Sequence, residues 1–548
     1  MHSPETAAAP GLLWVIGGSD CSALAGIQAD LATAQDLAVP AASVITAVTA
    51  QHNGAVLAVN PVSSAVLQSQ LDALTAPGQP LPAVIKIGLI PDATTLELLT
   101  DWLGRFKQAH PQVWLLLDPV QHASSGKALH QLTPAAFAPL LALVDVLTPN
   151  QPELRALAGL PADADAQLAV RLLFAHGVKA IWCKDGHGNA SDLHEALYLH
   201  PGAHPAFRDW PQQALTAVLS AKEPQTALQL VKPRLPGSWR GTGCSFASAL
   251  GCALAQPMLL PDALVLASLY LQQCLEKTAP THRQLHRAGW PVALTDPAKV
   301  RLSGVLAGAA LAGAGLAGAE LAGTGQGFAA LQQAPGIYPV VSSFSQLFAV
   351  TAAGISTVQL RLKTTDQAAL RQELRTAIAF GRAHQLQLFI NDHWQLALEL
   401  GAYGVHLGQE DLLSADLGAI RQAGLRLGIS THGYLELLQA LHIRPSYIAL
   451  GHLFATPTKA MPSIPQGLRL IGLQQQLCQQ QQLPAVAIGG IDASHLPALR
   501  AIGLAGVAMV RAVVQSADIT SSCQQLAALW QCEPTVPPPV KDGGCDVA

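Results

Sequence analysis

Charged and aromatic side chains are scarce in this sequence. Of its 548 residues, 12% are charged and 5% are aromatic, and the formal net charge is −4. A chain without a surplus of positive charge has no extended basic surface with which to hold nucleic acid. The nine cysteines include no C-x-x-C pair and no regular spacing, which favours a reducing compartment over disulfides or zinc. We therefore expect no nucleic-acid partner.

Signals for export or membrane insertion are also weak. The first residues lack a basic segment followed by a long apolar run, which is the pattern of a secretory signal. The uncharged stretch 302–319 approaches the length of a membrane span, but its many glycines make it a poor spanning helix. We expect a cytoplasmic protein that acts on small molecules without a membrane partner. Whether it forms a homo-oligomer stays open.

The length of the chain predicts two domains. A degenerate Leu-Ala-Gly repeat at 303–327 has the composition of a linker. We predict a first domain at residues 12–295, an Ala/Gly-rich linker at 296–334 and a second domain at 335–532. The Pro-rich and Gly-rich tail at 533–548 is expected to be disordered.

The second half alternates short apolar runs with longer helical patterns. Eight such strand–helix units are the number that closes a (β/α)8 TIM barrel. The predicted strands are 337–341, 357–361, 386–390, 403–407, 425–429, 447–450, 485–488 and 506–510.

Polar residues follow most of these strands. In a barrel the carboxyl ends of all strands meet at one mouth, where chemistry is normally placed, so we expect these residues to converge. They are Arg361, Lys363, Asn391, Asp392, His406, Gln409, Asp411, Ser430, Thr431, Thr456, Thr458, Lys459, Gly489, Gly490 and Arg511.

The residues at the predicted mouth indicate phosphate ligands. Thr456 and Thr458 offer hydroxyl donors and Lys459 a positive charge, although a loop of this composition is more often an ordinary turn. Asp392 and Asp411 are suited to hold Mg²⁺, with helix capping as the structural alternative. The sequence therefore predicts one diphosphate bound with Mg²⁺. The glycine pair at 489–490 would let backbone N–H groups approach a second, single phosphate.

These residues closely resemble thiamine-phosphate synthase over nearly all of residues 336–530. The matching stretches are 359–363, 389–392, 404–411, the loop with Thr456, Thr458 and Lys459, and 488–491. The resemblance implies that hydroxymethylpyrimidine diphosphate and thiazole phosphate give thiamine phosphate and pyrophosphate.

The resemblance also implies roles for individual residues. Those on the diphosphate side are Arg361, Lys363, Asn391, Ser430 and Lys459, with Mg²⁺ on Asp392 and Asp411. Those holding the thiazole phosphate are Thr456, Thr458, Gly489 and Gly490, while Gln359 lies near the pyrimidine. Two positions depart from the family: Ala455 replaces a frequent proline, and Arg511 replaces a small residue. Arg511 could either contact phosphate or pair with an acid elsewhere.

The first half has the pattern of a layered α/β domain. Its runs at 12–20, 84–88, 113–118, 144–148 and 180–184 are nearly continuous in hydrophobicity, as expected for parallel strands buried on both faces. Helical patterns separate them, whereas residues 200–235 show no clear pattern.

The sharpest motif of this half is Gly241-Thr242-Gly243-Cys244, directly before a helix of small residues. A glycine turn at a helix N-terminus points free N–H groups outward and forms an anion site, as a phosphoryl-transfer enzyme needs. Such turns are also common without function. Asn150 and Glu153 strengthen the interpretation, because Glu153 could orient Mg²⁺ near a nucleotide; helix capping is the alternative.

These pieces resemble hydroxymethylpyrimidine/phosphomethylpyrimidine kinase of the ribokinase-like superfamily. The matching stretches are 18–20, 25–30, 44–51, 118–120, 147–153 and 241–244. The resemblance implies ATP as co-substrate, with Gln51 at the pyrimidine edge and Asp30 at the substrate. It places Asp118, Asn150, Glu153 and Lys184 on the nucleotide, metal and phosphate side. Cys244 would accept the hydroxyl proton as a thiolate favoured by the helix N-terminus, unless only its N–H matters.

This half departs from its family in several places. Residues 21–24 lack two glycines that relatives have, Asp185 puts a carboxylate near the nucleotide, and Trp239-Arg240 precedes the anion site. The kinase could therefore be weak, altered in specificity or inactive. Two alternatives stay open: a non-catalytic pyrimidine-sensing domain attached to a working synthase, and a kinase that prefers pyridoxal-type substrates. With an active kinase, the chain would perform consecutive steps of thiamine biosynthesis.

Overall fold

Ten strands form one sheet in the first part of the chain. The computed structural model describes residues 10–532, except 53, 123–127, 186–190, 201–225, 257, 283, 292–299, 304–326, 413 and 456–463. The strands are β1 (Leu12–Asp20), β2 (Ala41–His52), β3 (Ala55–Pro61), β4 (Pro82–Ile87), β5 (Trp114–Leu117), β6 (Val146–Leu147), β7 (Ala180–Cys183), β8 (Asp192–Leu199), β9 (Thr226–Pro233) and β10 (Arg301–Ser303). Their order across the sheet is β10-β9-β8-β7-β6-β5-β4-β1-β2-β3.

The centre of this sheet is parallel and its edges are antiparallel. Strands β1, β2 and β4 to β7 pair in parallel. Strands β3, β8, β9 and β10 run antiparallel to their neighbours. The sequence predicts the parallel centre but not the antiparallel strands, because edge strands mix polar and apolar residues. Strand β9 lies within 200–235, where no pattern was expected.

Helices cover both faces of the sheet. They are α1 (Gly26–Asp36), α2 (Ser64–Leu74), α3 (Ala93–Ala109), α4 (Ala138–Leu141), α5 (Gln151–Leu157), α6 (Ala166–Ala175), α7 (Thr242–Leu254) and α8 (Leu260–Lys277). Successive residues of β1 point to opposite faces. Leu13 and Val15 lie in the hydrophobic cluster that includes α7 and α8, whereas Trp14 and Ile16 lie in the one that includes α3. The layered α/β fold is confirmed.

Eight strands close a parallel barrel in the second part. They are β11 (Gly336–Val341), β12 (Thr357–Leu360), β13 (Gln387–Asn391), β14 (Gly404–Leu407), β15 (Arg426–Thr431), β16 (Tyr447–Leu450), β17 (Ala485–Ile488) and β18 (Gly506–Met509). Each pairs in parallel with the next, and β18 returns to β11. All eight predicted strands are confirmed within two residues at either end. Their carboxyl ends therefore meet at one rim.

Helices surround the barrel. They are α9 (Phe344–Ala352), α10 (Gln367–Ala383), α11 (Trp394–Leu400), α12 (Gln409–Leu412), α13 (Leu417–Gln422), α14 (Tyr434–Ile443), α15 (Gly467–Gln480), α16 (Leu496–Ala501), α17 (Arg511–Val514) and α18 (Ile519–Gln531). One hydrophobic cluster continues from α7 and α8 into α14 and α15, so the two domains share buried contacts.

The ordered part of each domain extends into the predicted linker 296–334. Strand β10 pairs with β9 in the first sheet. Phe328 donates its backbone N–H to the Arg444 carbonyl at 3.0 Å, and Ser446 donates its hydroxyl to the Ala329 carbonyl at 2.6 Å. The sequence did not reveal these pairings because neither segment is long or strongly apolar. Residues 304–326 and the predicted tail 533–548 lie outside the described residues.

No helix within the described part of the chain combines the length and apolar character needed to cross a membrane.

A glycine inside the barrel makes room for a tyrosine. Gly428 of β15 pairs with Tyr447 of β16, whose side chain is fully buried. A Cβ at Gly428 would overlap with the Tyr447 ring and hydroxyl. Because the Tyr447 ring is fully buried and fills the space beside Gly428, packing requires glycine at position 428.

We therefore expect Gly428→Ala to lower the free energy of unfolding by about 2 kcal/mol, the usual cost of overpacking a core. Gly472→Ala is the matched control, because a Cβ there meets only Ile502 at 3.9 Å. That change within α15 should raise stability by about 0.5–1 kcal/mol through helix propensity. Urea unfolding followed by circular dichroism measures both. Equal effects of the two substitutions would contradict the packing argument.

Candidate active sites

Polar residues of the barrel lie at the rim where the strands end. Gln359 and Asn391 are buried within β12 and β13, and Ser430 is near the end of β15. Arg361 follows β12 and donates its backbone N–H to the Val341 carbonyl at 2.8 Å, while the Lys363 side chain is exposed. Three strands, β12, β13 and β15, thus bring these predicted residues to the same end of the barrel.

A chain of buried hydrogen bonds crosses the barrel interior. Gln359 Nε2 lies 3.4 Å from the Tyr338 hydroxyl, which lies 2.7 Å from the Tyr447 hydroxyl. His406 Nδ1 lies 2.7 Å from Tyr447 Oη, and its Nε2 lies 2.8 Å from Ser430 Oγ. Both imidazole nitrogens are therefore engaged, and the Ser430 hydroxyl is fixed from below.

The imidazole of His406 is neutral in this arrangement. Burial lowers its pKa to about 4, and the positive charge of Arg361 acts in the same direction. A neutral imidazole has one N–H donor and one acceptor nitrogen. It can therefore relay the orientation of the Tyr447 hydroxyl to Ser430 without adding charge at the mouth.

The two predicted magnesium ligands lie on neighbouring loops. Asp392 follows β13 with φ +63° and donates its backbone N–H to the His406 carbonyl at 3.0 Å. Asp411 lies in α12 after β14, and its Oδ2 accepts the Gly408 N–H at 3.3 Å. Among the described residues no group of three or more His, Cys, Asp or Glu side chains could hold a metal. A site made from these two carboxylates stays a prediction.

The predicted glycine pair supports the neighbouring loop. Gly489 has φ +101° and Gly490 φ +68°. Their Cβ positions would collide with His452 and Phe454. Phe454 donates its backbone N–H to the Gly489 carbonyl at 3.0 Å. Between residues that the structure describes, no backbone hydrogen bond uses the N–H of Gly489 or Gly490 as donor, so both remain suited to an anion.

Three predicted residues of this loop cannot be placed. Thr456, Thr458 and Lys459 lie outside the described residues. Arg511, for which two roles were open, begins α17 directly after β18.

The glycine turn predicted to bind an anion in the first domain lies at the N-terminus of α7. Gly241 is the N-cap residue with φ +71°, and a Cβ there would overlap with the Leu24 carbonyl. A Cβ on Gly243 would lie 3.5 Å from Asp118 Oδ2 and 3.6 Å from Lys184 Nζ. The glycine turn therefore faces the predicted nucleotide-side residues, which the fold brings together from distant parts of the sequence.

Asp118 and Lys184 form a buried ion pair at this site, with Lys184 Nζ 2.9 Å from Asp118 Oδ1. Burial opposes the charge of Asp118, but Lys184 and Lys86 outweigh it and hold its pKa below the usual value. Burial likewise disfavours the charge of Lys184, yet Asp118 and Glu153 raise its pKa. Both side chains are thus charged near neutral pH.

Asn150 and Glu153 form a capping box at the start of α5. The Asn150 side chain accepts the Glu153 N–H at 2.8 Å, and Glu153 Oε2 accepts the Asn150 N–H at 2.9 Å. Glu153 therefore caps the helix, which was the structural alternative to a role at Mg²⁺. Burial raises the pKa of Glu153 to about 7, although Lys184 opposes the shift.

The expectation of a thiolate at Cys244 is wrong for the protein without substrate. Burial raises the pKa of its thiol to about 11, and the nearby Lys86 only partly offsets this. The helix N-terminus does not compensate for the loss of water around the sulfur. At neutral pH Cys244 is a thiol, which leaves its backbone N–H as the group available to an anion.

Asp30 lies in the core rather than on an open substrate surface. Both of its oxygens accept hydrogen bonds from Lys86 Nζ, at 2.8 and 3.0 Å, and Ser248 donates its hydroxyl at 2.8 Å. Its side chain is fully buried. A carboxylate that is removed from water needs charged and polar partners, and α1 brings Asp30 to Lys86 of β4. Its predicted place at the substrate stays a prediction.

Gln51 is hydrogen-bonded to Arg240, one of the residues that differ from the kinase family. Its Oε1 accepts a hydrogen bond from Arg240 Nη2 at 2.6 Å. The same nitrogen lies 3.8 Å from Asp20 Oδ2. Asp20 also accepts the Ser22 and Ala25 N–H groups at 2.9 and 3.1 Å, which orders the turn that lacks the family's glycines.

Sequence reasoning missed Tyr338, Tyr447 and Lys86. The two tyrosines stand within predicted strands and read as apolar core, and Lys86 is a single charge inside an apolar run. The signal that could have found them is a polar group at a strand position whose place in the apolar run predicts burial. A tyrosine or lysine at a buried strand position needs a polar partner, and the partner lies on another strand or helix.

The fold and the two candidate sites define the class of the protein: a (β/α)8 barrel joined to a layered α/β domain with a glycine turn at a helix N-terminus. Residues 338–513 match the family model for thiamine monophosphate synthase, and residues 20–288 match that for phosphomethylpyrimidine kinase.

Named relatives resemble one part of the chain or the other. The thiamine-phosphate synthase of Yersinia pestis (strain Pestoides F) is 51% identical, over 37% of this chain and 94% of its own. That of Klebsiella pneumoniae is 50% identical, over 35% of this chain and 91% of its own. The pyridoxal kinase of Staphylococcus aureus, solved with pyridoxal, is 20% identical with a TM-score of 0.42, over 54% of this chain and 99% of that one. The chain belongs to the thiamine-phosphate synthase family and also carries a phosphomethylpyrimidine kinase domain.

We expect Tyr447→Phe to lower the free energy of unfolding by about 1–3 kcal/mol, because Tyr338 and His406 each lose a buried partner. Tyr403→Phe is the control, since its hydroxyl donates to Gln387 Oε1 at 2.7 Å in a half-buried position. Urea unfolding measures the difference. A smaller loss for Tyr447→Phe than for Tyr403→Phe would contradict the buried chain.

The thiol state of Cys244 can be tested by alkylation. At pH 7.5 iodoacetamide should modify the exposed Cys532 at least about tenfold faster than the buried Cys244. Mass spectrometry of digested protein gives both rates, and unfolded protein serves as the reference in which the two should react alike. Rapid modification of Cys244 in the folded protein would restore the thiolate hypothesis.

Proposed function

We propose that the chain is a cytoplasmic bifunctional enzyme that performs consecutive steps of thiamine biosynthesis. The first domain phosphorylates 4-amino-5-hydroxymethyl-2-methylpyrimidine and then its phosphate with ATP. The barrel condenses the resulting diphosphate with 4-methyl-5-(2-phosphoethyl)thiazole to thiamine phosphate and pyrophosphate. One observation carries the proposal: the barrel reproduces 94% of the length of a thiamine-phosphate synthase at 51% identity.

The chemistry of the barrel is the departure of diphosphate from a pyrimidine methylene. The cation that forms is stabilised by the ring amino group, and the thiazole nitrogen then attacks the methylene carbon. The protein's main task is to stabilise charge on the departing diphosphate. Arg361, Lys363 and Lys459 supply positive charge, while Asn391 and Ser430 supply hydrogen bonds. The neutral His406 keeps Ser430 oriented for this contact.

Asp392 and Asp411 fit a magnesium ion as oxygen ligands. They lie on adjacent loops after β13 and β14, and the positive φ of Asp392 is fixed by its bond to the His406 carbonyl. Carboxylates of this kind are usual Mg²⁺ ligands beside substrate phosphates. The ion would neutralise the charge of the leaving group.

The thiazole phosphate is proposed to bind on the opposite side of the mouth. The N–H groups of Gly489 and Gly490 form one part of its site, and the hydroxyls of Thr456 and Thr458 the other. Gln359, tied to Tyr338, faces the pyrimidine.

In the kinase domain, the phosphoryl group is proposed to bind at the N-terminus of α7. The N–H groups of Gly243 and Cys244 and the charge of Lys184 neutralise it during transfer. Asp118, Asn150 and Glu153 would line the side of the site that binds Mg²⁺ and ATP. Since Cys244 is a thiol, its role in this proposal is the backbone N–H rather than proton abstraction.

A second candidate function is supported by the Gln51–Arg240 hydrogen bond. Arg240 engages the group proposed to read the pyrimidine. If that bond persists, the first domain would bind or sense a pyrimidine without phosphorylating it, and only the barrel would be active.

An assay with the full chain separates the candidates. With ATP, Mg²⁺, the pyrimidine alcohol and the thiazole phosphate, we expect thiamine phosphate, detected by chromatography and mass. Arg361→Ala should lower synthase kcat at least about 100-fold, because the positive charge that stabilises the leaving diphosphate is lost. Arg371→Ala on α10 removes an exposed ion pair with Glu399 of α11 and should change kcat less than about twofold.

The two failures are distinguishable. No product from supplied pyrimidine diphosphate would contradict the synthase assignment. Product from the diphosphate but none from the alcohol would favour the sensing alternative.

A further inference from the structure

Helix α14 of the barrel lacks an N-cap side chain of its own. Its N-cap residue is Gly433, which makes no side-chain hydrogen bond. The Leu435 N–H in the first turn of α14 instead donates to Asp262 Oδ1 at 2.8 Å. Asp262 belongs to the first turn of α8 in the kinase domain. The cap of a barrel helix thus comes from the other domain.

Gly433 is shaped by this contact. Its φ of 175° is extended backbone that any residue adopts. A Cβ there would nevertheless overlap with both carboxylate oxygens of Asp262. The carboxylate therefore occupies the space of a side chain at the N-cap position, so glycine is required by the approach of the other domain.

The surroundings of Asp262 suit this role. Its side chain is 8% exposed, and a buried carboxylate is costly unless it is hydrogen-bonded. It lies at the N-terminal ends of both α8 and α14, where the helix dipoles favour negative charge. Burial raises its pKa to about 7, while the N–H groups of Leu435 and Tyr434 oppose the shift and Glu436 adds to it.

The capped turn is continuous with the diphosphate side of the barrel mouth. Ser430 lies in β15, and residues 432–433 connect this strand to α14. On one side of this connection Ser430 is bonded to His406 Nε2 at 2.8 Å. On the other, His432 donates its backbone N–H to Glu436 Oε2 at 2.7 Å within α14. Only three residues separate Ser430, near the end of β15, from the start of α14, which Asp262 caps.

A second barrel helix makes the same kind of contact. Arg469 of α15 donates to Gln256 Oε1 at 3.1 Å and to the Leu37 carbonyl at 3.0 Å. Its guanidinium also lies 5.3 Å from the centre of the Trp290 ring. The space beside Asp262 is about 10 Å³, room for roughly one water molecule at most. The contact is thus a closed interface rather than a ligand site.

We propose that the kinase domain is a structural part of the synthase site. Asp262 is a positioning residue that caps α14 across the domain interface and so holds the end of β15, which carries Ser430, in place for the diphosphate. This inference rests on the proposed synthase function.

The test compares Asp262→Ala with Asp92→Ala in the full chain. Asp92 caps α3 within the kinase domain, accepting the Thr95 N–H at 2.8 Å, so its loss removes an equivalent cap away from the barrel. For Asp262→Ala we expect amide exchange at residues 434–436 to rise roughly fivefold or more, the effect of losing one cap. Synthase kcat/KM for the pyrimidine diphosphate should fall about tenfold. The KM for the thiazole phosphate and kinase turnover should change less than twofold.

A double variant keeps the test decisive if Asp262→Ala folds poorly. Asp262→Ala with Gly433→Asp moves the capping carboxylate onto the barrel itself, into the space vacated at position 262. We expect this pair to restore both exchange protection and kcat/KM to within about threefold of the parent. An Asp262→Ala protein with unchanged exchange and synthase activity, an equal loss in Asp92→Ala, or a double variant without recovery would each overturn the inference. A parent protein without synthase activity would instead contradict the proposed function. Amide exchange at residues 434–436 would still test whether Asp262 caps α14.

Discussion

The closure of eight parallel strands into a barrel is the constraint on which the synthase site depends. Parallel pairing from β11 through β18 brings the carboxyl end of every strand to one rim. Residues far apart in sequence, such as Tyr338 and Tyr447 at a separation of 109 positions, then become members of one hydrogen-bonded chain. Gly428 is part of the same constraint, because its missing side chain leaves the space in which Tyr447 meets both Tyr338 and His406.

The kinase domain depends on buried ion pairs, whose members stay charged near neutral pH. Asp118 is paired with Lys184, and Asp30 with Lys86. A single member of either pair would be strongly destabilising in the core, whereas the pair with its extra hydrogen bonds is tolerated. Because Thr148 and Ser248 satisfy remaining acceptor positions, these pairs also fix the side chains around the anion site.

Much of this architecture could be predicted from sequence, because it depends on periodic patterns. The eight strands of the barrel and the parallel centre of the first sheet follow from apolar runs separated by helical segments. The antiparallel edge could not be predicted, since β9 carries too little pattern. The rim residues could be predicted as a group from their position after strands. The chain through Tyr338 and Tyr447 could not, because partners on different strands are not visible along the sequence. The thiol state of Cys244 also depends on burial that only the fold determines.

Pyrophosphate and magnesium are proposed to bind together at the rim of the barrel, beside thiamine phosphate. The most direct measurement is a crystal structure of the full chain with Mg²⁺, pyrophosphate and thiamine phosphate. We predict a metal ion bound by Asp392 and Asp411, with pyrophosphate bonded to it and to Ser430. Pyrophosphate bound away from this rim, or a metal held by neither carboxylate, would contradict the account.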